Sequence, residues 1–249
     1  MDELVCYADD EKKILYEIVK DFGDKVLISG INYRKIINVE KNKIIKSSQE
    51  IINNEEKENN SYKIIGELKR TSRRYILGTV LHFDADSKYL KKTKELYDDV
   101  GVYSVTILVD ENSLLKKINT LDIEFEPDVV VITGHDYYNG KNKSDIKNYT
   151  NSKYYATATF EIRKKYPNAV IIAGACQSNF ELLIAKGANF ASSPERINIH
   201  VFDPAILAIC VCTTSNKQIV NFDKTKKYIK NYNLAFGGVQ TNGKMKLMY

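Results

Sequence analysis

The 249-residue sequence contains no tryptophan, only four prolines and four cysteines, and only three histidines. The cysteines (Cys6, Cys176, Cys210 and Cys212) form no CxxC pair, which argues against a disulfide scaffold and a zinc knuckle. No apolar run approaches the ~18 residues that a membrane span needs. The opening, Met1 to Asp10, is acidic and lacks a basic segment followed by an apolar core. It does not read as a signal peptide, so the expected site of action is the cytoplasm. No single-sign charge dominates either. The net +5 comes from 37 basic and 32 acidic residues, with lysines spread along the chain, so no nucleic-acid footprint is expected.

What is present reads as a globular chain, 43% hydrophobic and 28% charged. The first ~46 residues alternate short β-like runs with Asp9-Asp10, Gly23-Asp24 and Gly30 between them. This predicts a small antiparallel module of the SH3-like kind over 1–46. Residues 47–61 are rich in Asn, Glu, Lys and Ser and read as a polar linker or a frayed helix. Residues 62–249 then form the larger domain.

From about Tyr75 strand and helix patterns alternate. Strands are predicted at 75–83, 102–109, 129–133 and 169–173, and helices at 88–97, 112–118, 152–165 and 179–186. Strands that are apolar throughout, separated by helices, imply an α/β, doubly wound, mostly parallel sheet covered on both faces. Beyond Asp203 come an apolar helix, Pro204 to Val211, and a lysine-rich segment. Phe236 to Gly243 has the Asn242-Gly243 turn signal of a terminal hairpin.

Two buried-strand patterns end in reactive side chains: Val129-Val-Val-Ile-Thr-Gly-His135-Asp136 and Val170-Ile-Ile-Ala-Gly-Ala-Cys176-Gln177-Ser178. Functional groups of parallel sheets sit at the carboxyl ends of the strands, where both Gly134-His135 and Ala175-Cys176 fall. A thiol nucleophile with a histidine base is the arrangement acyl transfer uses. Cys176 precedes a predicted helix that Gln177 or Ser178 would cap, a setting that favours thiolate. The backbone N–H groups near Gly134 and of Cys176 are candidates for an oxyanion hole. Asp136 and His82 are candidates for a supporting role. Neither has a firm claim as third member, so the pair reads as a dyad. A separate cluster, His82, Asp84 and Asp86, shares one face of an extended strand and suggests a metal-dependent hydrolase as an alternative. Its plainer reading has Asp84 and Asp86 capping the next helix.

The blocks Val80-Leu-His-Phe-Asp-Ala-Asp86, Thr133-Gly-His-Asp136, Asn148-Tyr-Thr-Asn-Ser-Lys-Tyr154, Ala173-Gly-Ala-Cys-Gln-Ser178 and Gly187-Ala-Asn-Phe-Ala-Ser-Ser-Pro194 resemble the YabG family of sporulation-specific proteases. Arg196, Ile199-His200 and Asp203-Pro204 continue the likeness. The resemblance implies a cysteine endopeptidase that cuts spore coat and cortex-associated proteins after arginine. It would use Cys176 as nucleophile and His135 as base, with no cofactor, in the mother cell of a sporulating bacterium. The order His then Cys is also similar to caspase–gingipain peptidases, an architectural analogy. A pocket for arginine requires a carboxylate, and Asp203, Asp84 and Asp86 are the candidates. The basic run Lys69-Arg70-Thr-Ser-Arg73-Arg74 reads as a solvated segment, and under such a specificity it would instead offer self-cleavage sites. A non-catalytic coat-assembly protein acting through the N-terminal module is the other alternative.

Overall fold

The computed structural model describes residues 4–10, 14–62, 74–221, 225–229 and 232–248. The basic positions Lys69, Arg70 and Arg73 lie outside the described residues. The chain divides into two compact units, Met1–Ile64 and Ile65–Tyr249.

The first unit is a five-stranded antiparallel sheet in the order β4-β3-β2-β1-β5. Its strands are β1 (Val5–Tyr7), β2 (Tyr16–Asp21), β3 (Lys25–Gly30), β4 (Ile36–Glu40) and β5 (Ile44–Lys46). Period-two alternation turns one face inward, and Val5, Ile14, Tyr16, Val26, Ile28 and Val39 form its core. The fifth strand had no clear sequence signal. It is three residues long and follows a 3-10 turn at Lys41–Lys43. Residues 49–62 form helix α1 (Gln49–Tyr62), and the buried Glu55 accepts a hydrogen bond from Asn32 Nδ2 at 2.8 Å. That contact joins the polar stretch to the sheet.

The second unit is built on a six-stranded sheet in the order β12-β11-β10-β9-β7-β8. The strands are β7 (Val80–Asp84), β8 (Ser104–Leu108), β9 (Val129–Ile132), β10 (Val170–Ala173), β11 (Phe190–Ser192) and β12 (Phe236–Gly238). All pairings are parallel except β11 with β12. The chain runs outward from β7 to β8, then crosses to the other side of β7 to lay down β9, β10 and β11. The strand order therefore reverses between β7 and β9, the place where open α/β sheets leave a crevice at their carboxyl edge.

Helices cover both faces. Leu81, Phe83, Val130, Ile132, Ile171 and Ala173 pack against Leu114 and Ile118 of α3 (Leu114–Thr120) and Tyr155, Ala158 and Ile162 of α4 (Ser152–Lys165). The alternate residues face the other layer, where His82 Nδ1 lies 3.0 Å from the Tyr97 hydroxyl of α2 (Ser87–Val100). Helix α6 (Asp203–Thr213) lies against β9, β10 and α2 and is buried all round, as its unbroken apolar sequence requires. No helix among the described residues is long and apolar enough to cross a membrane.

Two expectations are corrected. The strand predicted at 75–83 is broken into β6 (Tyr75–Ile76) and β7 around Gly78, whose N–H donates to the Cys212 carbonyl. A Cβ at Gly78 would meet Lys244 Cβ at 2.8 Å. The terminal hairpin does not form. Phe236–Gly238 pairs with β11, and β13 (Lys246–Leu247) pairs with β6. Partners distant in sequence satisfy these backbone groups in place of the local turn. Strand β11 was not anticipated, because three residues carry too little pattern to register.

Gly174, directly after β10, adopts φ +103°, and a Cβ there would meet Ser192 Oγ at 2.6 Å and Leu183 Cδ1 at 2.8 Å. Gly174→Ala is therefore expected to lower the stability of this unit by about 1–3 kcal/mol in denaturant unfolding.

Candidate active site

Register lines up the functional side chains. Phe83 of β7 is opposite Ile132 of β9, and Ile132 is opposite Ala173 of β10. Three residues beyond each member of this row stand Asp86, His135 and Cys176. The bonds Thr133 N–H to Phe83 O (3.0 Å) and Gly174 N–H to Ile132 O (3.0 Å) carry the alignment one residue past the strands. Two residues far apart in sequence from Cys176 thus arrive at the same level of the same sheet edge.

His135 is pinned through its backbone. Its N–H donates to Glu111 Oε1 at 2.7 Å, and its carbonyl accepts from Asn151 Nδ2 (2.7 Å) and the Tyr155 hydroxyl (3.0 Å). Gly134 permits this because a Cβ there would fall 2.7 Å from both Glu111 Oε1 and the Tyr155 oxygen. On the ring, Nε2 is 3.3 Å from Asp86 Oδ2. Nδ1 is buried and has no hydrogen-bond partner.

Asp136 points elsewhere. Its carboxylate accepts from the N–H groups of Tyr137 (2.9 Å) and Asn151 (2.7 Å) and from the hydroxyls of Ser152 (2.5 Å) and Ser178 (3.0 Å). Ser178 Oγ in turn accepts from Ala175 N–H at 2.9 Å, and Ser152 Oγ from Asn179 N–H at 2.8 Å. Asp136 therefore joins the loop after β9 and the start of α4 to the loop that carries Cys176. Burial pushes its carboxyl above the usual range, against the pull of these donors.

Cys176 is 1% exposed. Its sulfur accepts from Ile199 N–H at 3.3 Å and faces the Ile199 carbonyl at 3.8 Å. Gln177, with φ +58°, turns the chain sharply after it. The residues from Ser193 to His200 lie over the sulfur. They are fastened by Gln177 N–H to Ile197 O (3.2 Å) and by the Arg196 guanidinium, which binds Glu181, the Tyr149 hydroxyl and the Pro194 carbonyl. The expected helix cap at Gln177 or Ser178 is corrected. Helix α5 (Phe180–Ala185) is capped by Asn179, whose Oδ1 accepts from Leu182 N–H. Ser178 is unavailable because its hydroxyl serves Asp136, and Cys176 stands too far ahead of so short a helix to feel its dipole.

The remaining carboxylates have separate employment. Asp84 is fully enclosed, its Oδ1 accepts from Asp86 N–H, and its Oδ2 is 3.8 Å from His82 Nε2. Asp86 Oδ1 caps α2 by accepting from the N–H groups of Lys88 and Tyr89. Asp203 Oδ2 accepts from His200 N–H at 2.9 Å. Among the described residues no group of three His, Cys, Asp or Glu could hold a metal ion. The chain leaves β7 at Asp84, so positions 82, 84 and 86 do not stay on one strand face. Sequence reasoning missed Glu111, which carries no local signal. It placed Asp86 in a substrate pocket, although its interval from the Phe83, Ile132 and Ala173 row equals that of His135 and Cys176.

The family described as YabG peptidase U57 matches residues 14–249 of this chain. The chain is similar to the sporulation-specific protease YabG of Bacillus subtilis (strain 168), with 38% identity over 175 residues, 68% of this chain and 60% of that protein. It thus spans about 60% of the length of the curated relative it matches. No solved structure matches.

Asp136→Ala orphans four donors and is expected to cost about 3 kcal/mol or more in denaturant unfolding. Asp136→Asn keeps an acceptor for the two N–H groups and is expected to cost less. Because burial raises the Asp136 pKa, folding takes up a proton above the ordinary carboxylate value. The stability of the wild-type chain relative to Asp136→Asn should therefore fall as pH rises through that window. Glu181→Gln weakens the hold on Arg196 and is expected to speed iodoacetamide alkylation of Cys176, read by mass spectrometry, with Cys210 and Cys212 as buried references.

Proposed function

Because the chain belongs to the YabG peptidase family, we propose that it is a sporulation-specific cysteine endopeptidase using Cys176 as nucleophile and His135 as acid/base. The observation that carries this reading is the single row beyond Phe83, Ile132 and Ala173, which delivers a thiol and an imidazole to the carboxyl edge of adjacent strands. Of the other three cysteines, burial pushes the Cys210 thiol up to about 11 and Cys212 well above its ordinary value.

In the proposed reaction the Cys176 proton passes to His135 and the thiolate attacks the scissile carbonyl carbon. The oxyanion takes the backbone N–H groups of Gly134 and Cys176, since the N–H of His135 is committed to Glu111. Collapse breaks the C–N bond, and the imidazolium protonates the leaving amine. His135 then takes a proton from water, whose oxygen attacks the thioester, and the thiol is regenerated on release of the acid. Substrate entry requires the Ser193–His200 segment to leave the sulfur.

Cleavage after arginine belongs to this reading, with Asp203 as the proposed carboxylate of the pocket. Its Oδ2 is bonded to the His200 N–H of that same covering segment, so lifting the segment would free the oxygen for a guanidinium. Asp86 is engaged by His135 and Asp84 is enclosed. Spore coat and cortex-associated proteins are the proposed substrates, in the mother cell or at the spore coat. A caspase-like grouping of the α/β unit and an SH3-like grouping of the N-terminal sheet are part of the same proposal.

Cys176→Ala is expected to lose all measurable cleavage of an arginyl peptide amide, with an unchanged unfolding midpoint. Replacing Cys6, Cys210 or Cys212 by Ala should leave the rate within about threefold, because none contributes a reacting group. Inhibition by iodoacetamide but not by chelator is expected. The opposite pattern, or an active Cys176→Ala protein, would remove the assignment in favour of a metal-dependent hydrolase.

A further inference from the structure

We infer that Asp86 is the positioning residue of the site: it holds His135 by Nε2, so that Nδ1 is the nitrogen that exchanges the proton with Cys176. This rests on the Cys176–His135 reading and adds a third member, together with the identity of the reacting nitrogen.

Three independent features converge on Asp86. The first is its place in the row. It follows Phe83 by the interval at which His135 follows Ile132 and Cys176 follows Ala173, and β7 and β9 flank the point where strand order reverses. The second is its contact. Oδ2 is 3.3 Å from His135 Nε2, while Oδ1 accepts from Lys88 N–H at 2.9 Å and Tyr89 N–H at 3.1 Å. One oxygen is therefore fixed by the first turn of a fourteen-residue helix, which orients the other. Asp84 Oδ1 accepts from the Asp86 N–H at 3.0 Å and immobilises the backbone as well. The third is the opposite edge of the ring, where Nδ1 is buried and unpartnered. A buried ring nitrogen without a partner is costly, and a site that acts on a proton has a use for it.

The electrostatics agree. The amino end of α2 favours a carboxylate at its cap, and that cap stands beside the imidazole. An ionised Asp86 requires Nε2 to carry the hydrogen, which leaves the Nδ1 lone pair open to the thiol proton. It also stabilises the imidazolium that forms. The other groups facing His135 are Glu111, bound to its backbone N–H, Tyr89 with ring centroids 6.2 Å apart, and Tyr155, bound to its carbonyl. Asp136, the nearest carboxylate in sequence, spends its oxygens on Tyr137, Asn151, Ser152 and Ser178.

The cap role offers a control. Asn and Ser both cap helices well, so neither Asp86→Asn nor Asp86→Ser should shift the unfolding midpoint much. They differ toward the histidine. Asn presents an amide hydrogen to Nε2 and forces the hydrogen onto Nδ1, whereas Ser leaves Nε2 to water or a hydroxyl that can turn either way. The expected order of kcat on an arginyl peptide amide is wild type, then Asp86→Ser, then Asp86→Asn. The Asn variant should be down about 100-fold or more in kcat with KM nearly unchanged, the split that separates a loss at the histidine from a loss of substrate binding.

A residue that merely capped α2 would leave all three proteins alike, and that result would overturn the inference. In Cys176→Ala protein, where the ring is neutral above its pKa, 15N shifts should report the Nε2–H tautomer of His135; a dominant Nδ1–H tautomer would also overturn it. Full activity of Asp86→Asn beside a dead Cys176→Ala protein sinks this inference alone. An active Cys176→Ala protein sinks the parent reading with it.

Discussion

The carboxylate of Asp136 accepts four hydrogen bonds, from two backbone N–H groups and two serine hydroxyls. Those donors come from the loop after β9, the start of α4 and the loop after β10, and this one carboxylate joins all three segments at the sheet edge. Burial opposes the charge, and the donors offset only part of that cost. His135 precedes this anchor by one residue, and Cys176 precedes Ser178 by two. The placement of both candidate residues thus depends on an acid that takes no part in the proposed chemistry.

Beneath the anchor lies the sheet register. Strands β7, β9 and β10 are dry on both faces, so a slip of one residue would exchange the side chains packed on α3 and α4 for those packed on α2 and α6. His82 and Asp84 would then enter an apolar layer. Core packing therefore sets the row from which Asp86, His135 and Cys176 emerge, and the loops need only three residues each to deliver them. Glu111, Asn151 and Tyr155 then hold the His135 backbone from elements on either side. The Cys176 sulfur is covered by a segment locked through Arg196, a guanidinium almost wholly enclosed between Tyr149, Pro194 and Glu181.

Much of this was legible in the linear chain. The runs Val129 to Ile132 and Val170 to Ala173 are too apolar and too short to be anything but buried strands, and parallel sheets present their chemistry at the ends of such strands. The amphipathic helices at 87–100 and 152–165 follow from 3.6-residue spacing. Those local patterns, with the scarcity of Cys and His, singled out Cys176 and His135 before any coordinates. The short elements escaped, as β5, β11 and the break at Gly78 did, because three or four residues carry no period and their partners are distant in sequence.

The sequence by itself determined the class of sheet and its buried strands and marked Cys176 and His135 as the candidate reactive residues, since each is written in local hydropathy and residue type. Only the tertiary structure decided what the carboxylates do. Asp84, Asp86, Asp136 and Asp203 are equivalent as letters, and each could cap, pair or bind. Strand register and loop direction gave Asp86 to the histidine, Asp136 to the serines, Asp203 to the His200 N–H and Asp84 to the interior. A carboxylate's role is set by which donors surround it in space, and those donors come from parts of the chain that only folding brings together.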